Sequence, residues 1–397
     1  MMTRHAWALS LALMMMTTGC VGLPGPVERA PRHAGPSPVG VVTVEVEDEV
    51  RGRQLPVEIW YPAAPSDADP TMYRVRGGGG VTVARVRSAL GARRAVPLAQ
   101  SSSPYPVVLI SHGAGSSRYG HATLAEVLAS HGYVVAAPDH VGHTVADHTF
   151  GISLEDRAQA AMDRPIDLSR VLDDLLARHA LKSSIFHRAL DPSRVAVAGH
   201  SFGGRSALAI SGASFDGARQ SAECVHASKD RRCHAVGVFG AKSYRYRDPR
   251  VRAALLIAPS GYAFYRGDGV SRINVPTLVV GAERDRTTPY AEFHAPVFEA
   301  LAGPKHFLPL RDAGHLTATD VCEIVGSIGM LARWVGGERA VDGCNEGFLA
   351  PRDAIDLVTA AALPFLRRYL DDDPSAESPL HRALSANTSL RRRIAAR

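Results

Sequence analysis

Two kinds of apolar pattern alternate along this chain. A short continuous apolar run at residues 107–110 predicts a buried strand of the parallel type, apolar on both faces, and residues 133–137, 195–198, 253–258, 277–280 and 307–310 predict further strands. Between them, apolar residues recur at helical spacing. Leu124, Val127 and Leu128 form one such set, and Leu168, Val171, Leu172, Leu175 and Leu176 a second. Residues 202–210 predict a further helix, and 355–370 a closing amphipathic one. Strand and helix in repeated alternation predict a mostly parallel sheet with helices on both faces, an α/β architecture. Near the start, residues 42–47 and 55–61 alternate apolar and polar positions around Arg51-Gly52-Arg53, which predicts a hairpin. Residues 63–104 have little periodicity, include glycines at 77–80 and read as an excursion loop. No internal repeat is visible.

Composition narrows the class. Of 397 residues, 46% are hydrophobic and 21% charged, enough to bury a sizeable core and too apolar for a disordered or fibrous chain. No apolar run reaches the roughly 18 residues of a spanning helix, which excludes a polytopic membrane protein. Forty-five basic against 39 acidic residues leave a net charge of +6, spread along the chain, so no nucleic-acid partner is expected. The dense basic run Arg391, Arg392 and Arg393 reads as a frayed tail.

The first twenty residues have the order of an export signal: Arg4 and His5, an apolar stretch at 6–16, then Thr17-Thr18-Gly19-Cys20. The Gly-Cys ending resembles a bacterial lipoprotein signal, with Cys20 as the lipidated residue and membrane attachment as the consequence; Thr17 departs from the usual leucine. Cleavage and release is the alternative. Export therefore implies a periplasmic, membrane-anchored or secreted protein. Residues 21–40 are proline-rich and read as a linker, 41–372 as one α/β domain with an insertion near 212–246, and 373–397 as a C-terminal tail. Setting Cys20 aside leaves Cys224, Cys233, Cys322 and Cys344, an even number that suggests two disulfides in an exported chain. Of three connectivities, the local one, Cys224–Cys233 with Cys322–Cys344, is expected because both pairs lie in polar, irregular stretches.

The candidate nucleophile is Ser201 in Gly199-His200-Ser201-Phe202-Gly203. Gly-x-Ser-x-Gly is a weak signal alone, but here an apolar strand ends at Gly199 and a helix begins after Ser201. A serine at such a bend is held in strain with its oxygen exposed, next to the positive end of a helix. It needs a base, and the order expected on this architecture is serine, acid, histidine. Asp285 follows the strand at 277–280 and is the chosen acid, with Glu283 its competitor. His315, in Asp312-Ala313-Gly314-His315, follows the last strand and is the chosen base. The oxyanion would be held by the amides of Phe202 and Ala114, the latter in Ser111-His112-Gly113-Ala114-Gly115, with Gly113 second to Ala114.

The 109–115 segment, the strand at 133–138 ending in Asp139-His140, and Gly199-His200-Ser201-Phe202-Gly203-Gly204 together resemble the α/β-hydrolase branch of platelet-activating-factor acetylhydrolases and bacterial dienelactone-hydrolase-like proteins. The resemblance runs from about residue 41 to 370. It implies an α/β-hydrolase fold and ester hydrolysis without metal or organic cofactor, with Phe202 and Ala114 at the oxyanion. Two departures limit it. The animal acetylhydrolases take their acid from the preceding strand, which here ends Ile257-Ala258-Pro259-Ser260 without a carboxylate. Dienelactone hydrolase uses a cysteine nucleophile, where this chain has serine. Neither namesake substrate carries over.

His140, His143 and His148 crowd one loop beside Asp139 and Asp147. A metal site there is disfavoured, because no recognised ligand spacing occurs, and the histidines read as lining the site mouth or as solvated. Residues 212–246 form a polar insertion, a lid candidate. Trp60 and Trp334 read as packing residues. The expectation is an exported serine esterase for small to medium carboxylic esters. The alternatives are a polyester or cutin hydrolase, and a non-catalytic lipid-binding lipoprotein on the same scaffold.

Overall fold

The computed structural model describes residues 31–149, 151–224, 244–328 and 337–394. The signal and Cys20, the first half of the linker (21–30), Cys233, Trp334 and the middle of the 212–246 insertion lie outside the described residues.

The strands are β1 (Val39–Asp48), β2 (Arg53–Pro62), β3 (Met72–Arg76), β4 (Thr82–Arg87), β5 (Arg93–Arg94), β6 (Tyr105–Ser111), β7 (Val134–Pro138), β8 (Leu190–His200), β9 (Ser214–Phe215), β10 (Tyr244–Arg245), β11 (Val251–Ile257), β12 (Thr277–Ala282) and β13 (Lys305–Leu310). Nine form one mixed sheet in the order β13-β12-β11-β8-β6-β7-β2-β1-β5. The block from β7 to β13 is parallel, and β2 pairs antiparallel with both β1 and β7. This is the α/β-hydrolase fold.

Each central strand feeds two cores, as its unbroken apolar run requires. Val108 and Ile110 of β6, with Ala196 and Ala198 of β8, face the helices Ala122–Ser130 and Pro351–Tyr369. Val107 and Leu109, with Val195 and Val197, face Leu154–Ala180 and Phe202–Ser211. The chain runs from β6 to β7 on one side and then crosses to β8 on the other. The carboxyl ends of β6 and β8 therefore flank the topological switch point, where open α/β sheets take their ligands.

Two stretches are more ordered than their sequence suggests. Within 63–104, β3 and β4 form a hairpin docked on the helix Ala122–Ser130. Its anchor is the fully buried Glu126, which accepts hydrogen bonds from Tyr73 Oη, Ser88 Oγ and the Leu90 amide; Trp60 Nε1 donates to the same Tyr73 oxygen at 2.8 Å. These partners are far apart in sequence, so local periodicity could not report them. The expected tail at 373–397 is also corrected: a helix runs Glu377–Ile394, entered through an Asp373 cap and Pro374, with Leu380 fully buried in the core.

Candidate active site

β8 ends at His200, and the helix Phe202–Ser211 starts two residues later. Ser201 makes the turn with φ 54° and ψ −118°, a conformation that costs a non-glycine residue about 1–3 kcal/mol. Hydrogen bonds hold it there: its amide donates to the Ile257 carbonyl at 3.0 Å, and its carbonyl accepts from the Ser260 and Arg205 amides at 3.0 and 3.1 Å. The flanking glycines are needed for space. A Cβ on Gly199 would collide with the Gly203 carbonyl, and one on Gly203 with the Ser111 carbonyl.

Three side chains distant in sequence meet above this turn. The Ser201 hydroxyl lies 2.8 Å from His315 Nε2, and His315 Nδ1 lies 2.7 Å from Asp285 Oδ2. Asp285 Oδ1 accepts from the amides of Thr287 and Thr288 at 2.8 and 2.7 Å. Burial pushes the Asp285 carboxyl up, but the hydrogen bond and charge of His315, the Thr288 amide and His294 outweigh it, and its pKa is lowered. Glu283, the competing acid, is exposed and lies 4.0 Å from Arg311.

The surroundings include residues that motif reasoning missed. Thr288 Oγ1 donates to Asp285 Oδ2 at 2.9 Å and lies 3.1 Å from both His315 Nδ1 and His294 Nε2. His200 Nε2 lies 2.8 Å from the His315 carbonyl oxygen. Asp342 Oδ2 accepts from the Arg286 and Thr287 amides, while the Asp342 carbonyl accepts from the Leu316 amide at 2.8 Å. One residue thus ties the acid loop to the histidine loop. Cys344, two residues on, is disulfide-bonded to Cys322 and anchors that segment. Cys224 is also in a disulfide, and Cys233, its expected partner, lies outside the described residues. Asp342 carries no local signal, because its role exists only where three loops meet.

The loop after β6 lies against the same turn. A Cβ on Gly113 would stand 3.1 Å from His200 Nδ1 and 3.5 Å from Ser201 Cβ, so the loop passes this turn in close contact and a side chain there would press on the His200 ring. Ala114 is exposed and Phe202 half-buried, and among the described residues no hydrogen bond occupies either amide.

A second Ser-His-Asp chain lies beneath. Ser111 Oγ is 2.9 Å from His140 Nε2, and His140 Nδ1 is 2.9 Å from Asp167 Oδ2. All three residues are 0% exposed, against 8% for Ser201 and 5% for His315. Arg51 and Arg53 clamp Asp167 at 2.8 and 3.0 Å. The His140 amide donates to His112 Nε2, which couples this chain to the loop carrying Ala114. Two of the loop histidines are therefore not solvated: His140 and His143 are fully buried, while His148 is half-buried, and burial drives His140 and His143 well below the ordinary imidazole pKa. Asp139 pairs with Arg118, and Asp147 completes a capping box with Thr144.

Comparison with known proteins agrees with this fold and chemistry. A chlorophyllase family model matches residues 82–220, a span that contains both serines but neither Asp285 nor His315. Cutinase 1 of Thermobifida cellulosilytica is 26% identical over 243 residues, covering 60% of this chain and 72% of its own length. For a cutinase of Thermobifida fusca (strain YX) the identity is also 26%, over 60% of this chain and 62% of the relative. A platelet-activating factor acetylhydrolase of Cavia porcellus matches at 26%, but over 28% of this chain and 32% of its own. Among solved structures, a ferulic acid esterase from Streptomyces cinnamoneus superposes with a TM-score of 0.57 at 25% identity, covering 88% of this chain and 93% of that one. Fold, site and relatives define the class: an esterase of the α/β-hydrolase superfamily, a serine hydrolase with Ser-His-Asp geometry. The resemblance to the acetylhydrolase branch holds at the superfamily level and does not single out that branch.

Proposed function

We propose that this chain hydrolyses carboxylic esters through Ser201 as nucleophile, His315 as general base and acid, and Asp285 as the group that orients His315. The observation that carries this reading is the 2.8 Å contact from Ser201 Oγ to His315 Nε2 at a strained strand-to-helix turn. Ser201 attacks the ester carbonyl while His315 takes its proton. Asp285 accepts from His315 Nδ1–H and stabilises the imidazolium. The Phe202 and Ala114 amides hold the oxyanion, His315 returns the proton to the departing alkoxide, and water cleaves the acyl-enzyme. Ser111 satisfies the same hydrogen-bond pattern, but its full burial argues for a structural role.

For the substrate, the cutinase relatives favour the polyester or cutin-type reading over small soluble esters. An exposed Ala114 and half-buried Phe202 are compatible with an extended ester reaching the site from solvent. Export and lipidation at Cys20 complete the proposal, on the strength of the amino-terminal sequence. The test is release of acids from polyester or cutin film alongside a panel of monomeric p-nitrophenyl esters. Film turnover by the wild type and none by Ser201→Ala is expected. Turnover confined to short monomeric esters would reverse the substrate ranking, and full activity in Ser201→Ala would remove the mechanism.

A further inference from the structure

The ring of Phe202, the residue after the nucleophile, is surrounded by cationic and polar side chains, several of whose nitrogens lack partners among the described residues. Arg164 Cζ lies 5.1 Å from the ring centroid, Arg205 Cζ 5.0 Å and the His143 ring 4.5 Å. Nε and Nη1 of Arg164, Nε and Nη2 of Arg205 and both ring nitrogens of His143 are buried without a hydrogen-bond partner among the described residues. Arg164 and His143 are 0% exposed. Stacking on Phe202 and on Phe264, whose ring centroid is 3.5 Å from Arg205 Cζ, covers the faces of the guanidiniums but does not engage their N–H groups. Buried charge is normally paired and buried N–H groups hydrogen-bonded, so among the described residues this cluster lacks an anion.

The two carboxylates nearest Arg164 on its own helix are not spare. Asp163 and Asp167, flanking Arg164 on its own helix, are taken by Arg51, Arg53 and His140. Burial, only partly offset by Asp167, and repulsion from Arg205 lower the Arg164 pKa to about 9, as fits an unneutralised cation. The cluster also faces the reaction. Arg205 is four residues after Ser201 on the helix that the nucleophile starts, and side chains on a helix lean toward its N-terminus. The remaining Arg164 nitrogen, Nη2, donates to the His112 carbonyl in the loop that carries Ala114.

We propose that Arg164, Arg205 and His143 form an anion subsite around Phe202, and that the favoured substrate is an ester whose acyl part carries a free carboxylate. The open Nε and Nη2 of Arg205 present one guanidinium edge to a carboxylate, Arg164 adds its Nε and Nη1 donors, and neutral His143 adds one N–H donor. Phe202 and Arg205 are half-buried while the other two are enclosed, so the anion enters over Arg205. This inference rests on the esterase reading and deepens it: on a polyester it describes attack at carboxylate-terminated chains.

The test compares mono-p-nitrophenyl glutarate with p-nitrophenyl pentanoate at fixed ionic strength. Wild type should favour the glutarate ester by about tenfold or more in kcat/KM, Arg205→Gln should lower that ratio by about tenfold, and Arg205→Lys should restore much of it. A wild-type ratio at or below one overturns the subsite, as does a parallel loss on both esters in Arg205→Gln. Should that variant not fold, inhibition of wild type by free glutarate decides. Competitive inhibition that weakens with salt supports the subsite, and none at tens of millimolar overturns it. Failure of the esterase reading is distinct, since wild type would then turn over neither ester.

Discussion

Two Ser-His-Asp chains with nearly identical hydrogen-bond lengths occupy this molecule, and they differ in everything else. Ser201 sits at a strained turn, with φ 54°, at the start of a helix. Ser111 ends a regular strand, is completely enclosed, and its Asp167 is neutralised by two arginines. The lesson is that a hydrogen-bonded triad is a connectivity, whereas a nucleophile also needs strain, access and an oxyanion site. Nature of surroundings, and not bond length, separates the two. The buried chain lies under the loop that faces Ser201, so one triad serves as a floor for the other.

The sharpest break between them is covalent labelling and turnover. Ser201→Ala should abolish fluorophosphonate labelling and lower kcat on the order of 10⁶-fold, while Ser111→Ala should label like wild type and lose less than about tenfold. Labelling that follows Ser111 would invert the assignment. Asp285→Asn should cost about 10⁴ in kcat with the fold intact, as measured by steady-state kinetics, because His315 loses the acceptor that sets its tautomer. Asp167→Asn should instead show its main effect in thermal unfolding.

Acid response probes the burial around both chains. His121 and His294 titrate at about 4 in the fold, burial being the main cause, against 6.5 for an unperturbed imidazole. Between those values the unfolded chain binds more protons than the native one. Their contribution is therefore complete above about pH 6.5 and falls as pH drops toward 4, by roughly 1.4 kcal/mol per pH unit for each histidine. Glu126, raised to about 7 chiefly by burial, works in the opposite direction, as do the burial-raised carboxyls of Asp139 and Asp371, but the buried His112, His140, His143 and His200 are lowered too and add to the loss. Denaturant unfolding from pH 8 to 4 should show a net loss; a flat profile would contradict the burial of these rings.

Smaller effects sharpen the comparison. Replacing Cys322 and Cys344 with serine should cost about 2–4 kcal/mol and loosen the Asp342 tie between the acid and histidine loops, lowering kcat along with Tm. His140→Ala strands the buried Ser111 Oγ, while Asp167 keeps its arginine partners, and should cost about 1–3 kcal/mol of stability with less than about a tenfold change in kcat.

Much of this was legible in the residues themselves. Unbroken apolar runs at 107–110 and 195–198 have no other use than strands covered on both faces, and a Gly-x-Ser-x-Gly between strand and helix has few geometries open to it. The order of Ser201, Asp285 and His315 after successive strands followed from the same alternation. Tertiary structure alone decided the rest. It docked the 63–104 hairpin on Glu126 and turned the supposed tail into a packed helix. It also joined Ser111 to Asp167 across 56 positions and gathered Arg164, Arg205 and His143 around one phenyl ring. The reason is physical: periodicity reports which face of an element is buried, whereas a buried polar group is satisfied or left wanting by partners that arrive from anywhere in the chain.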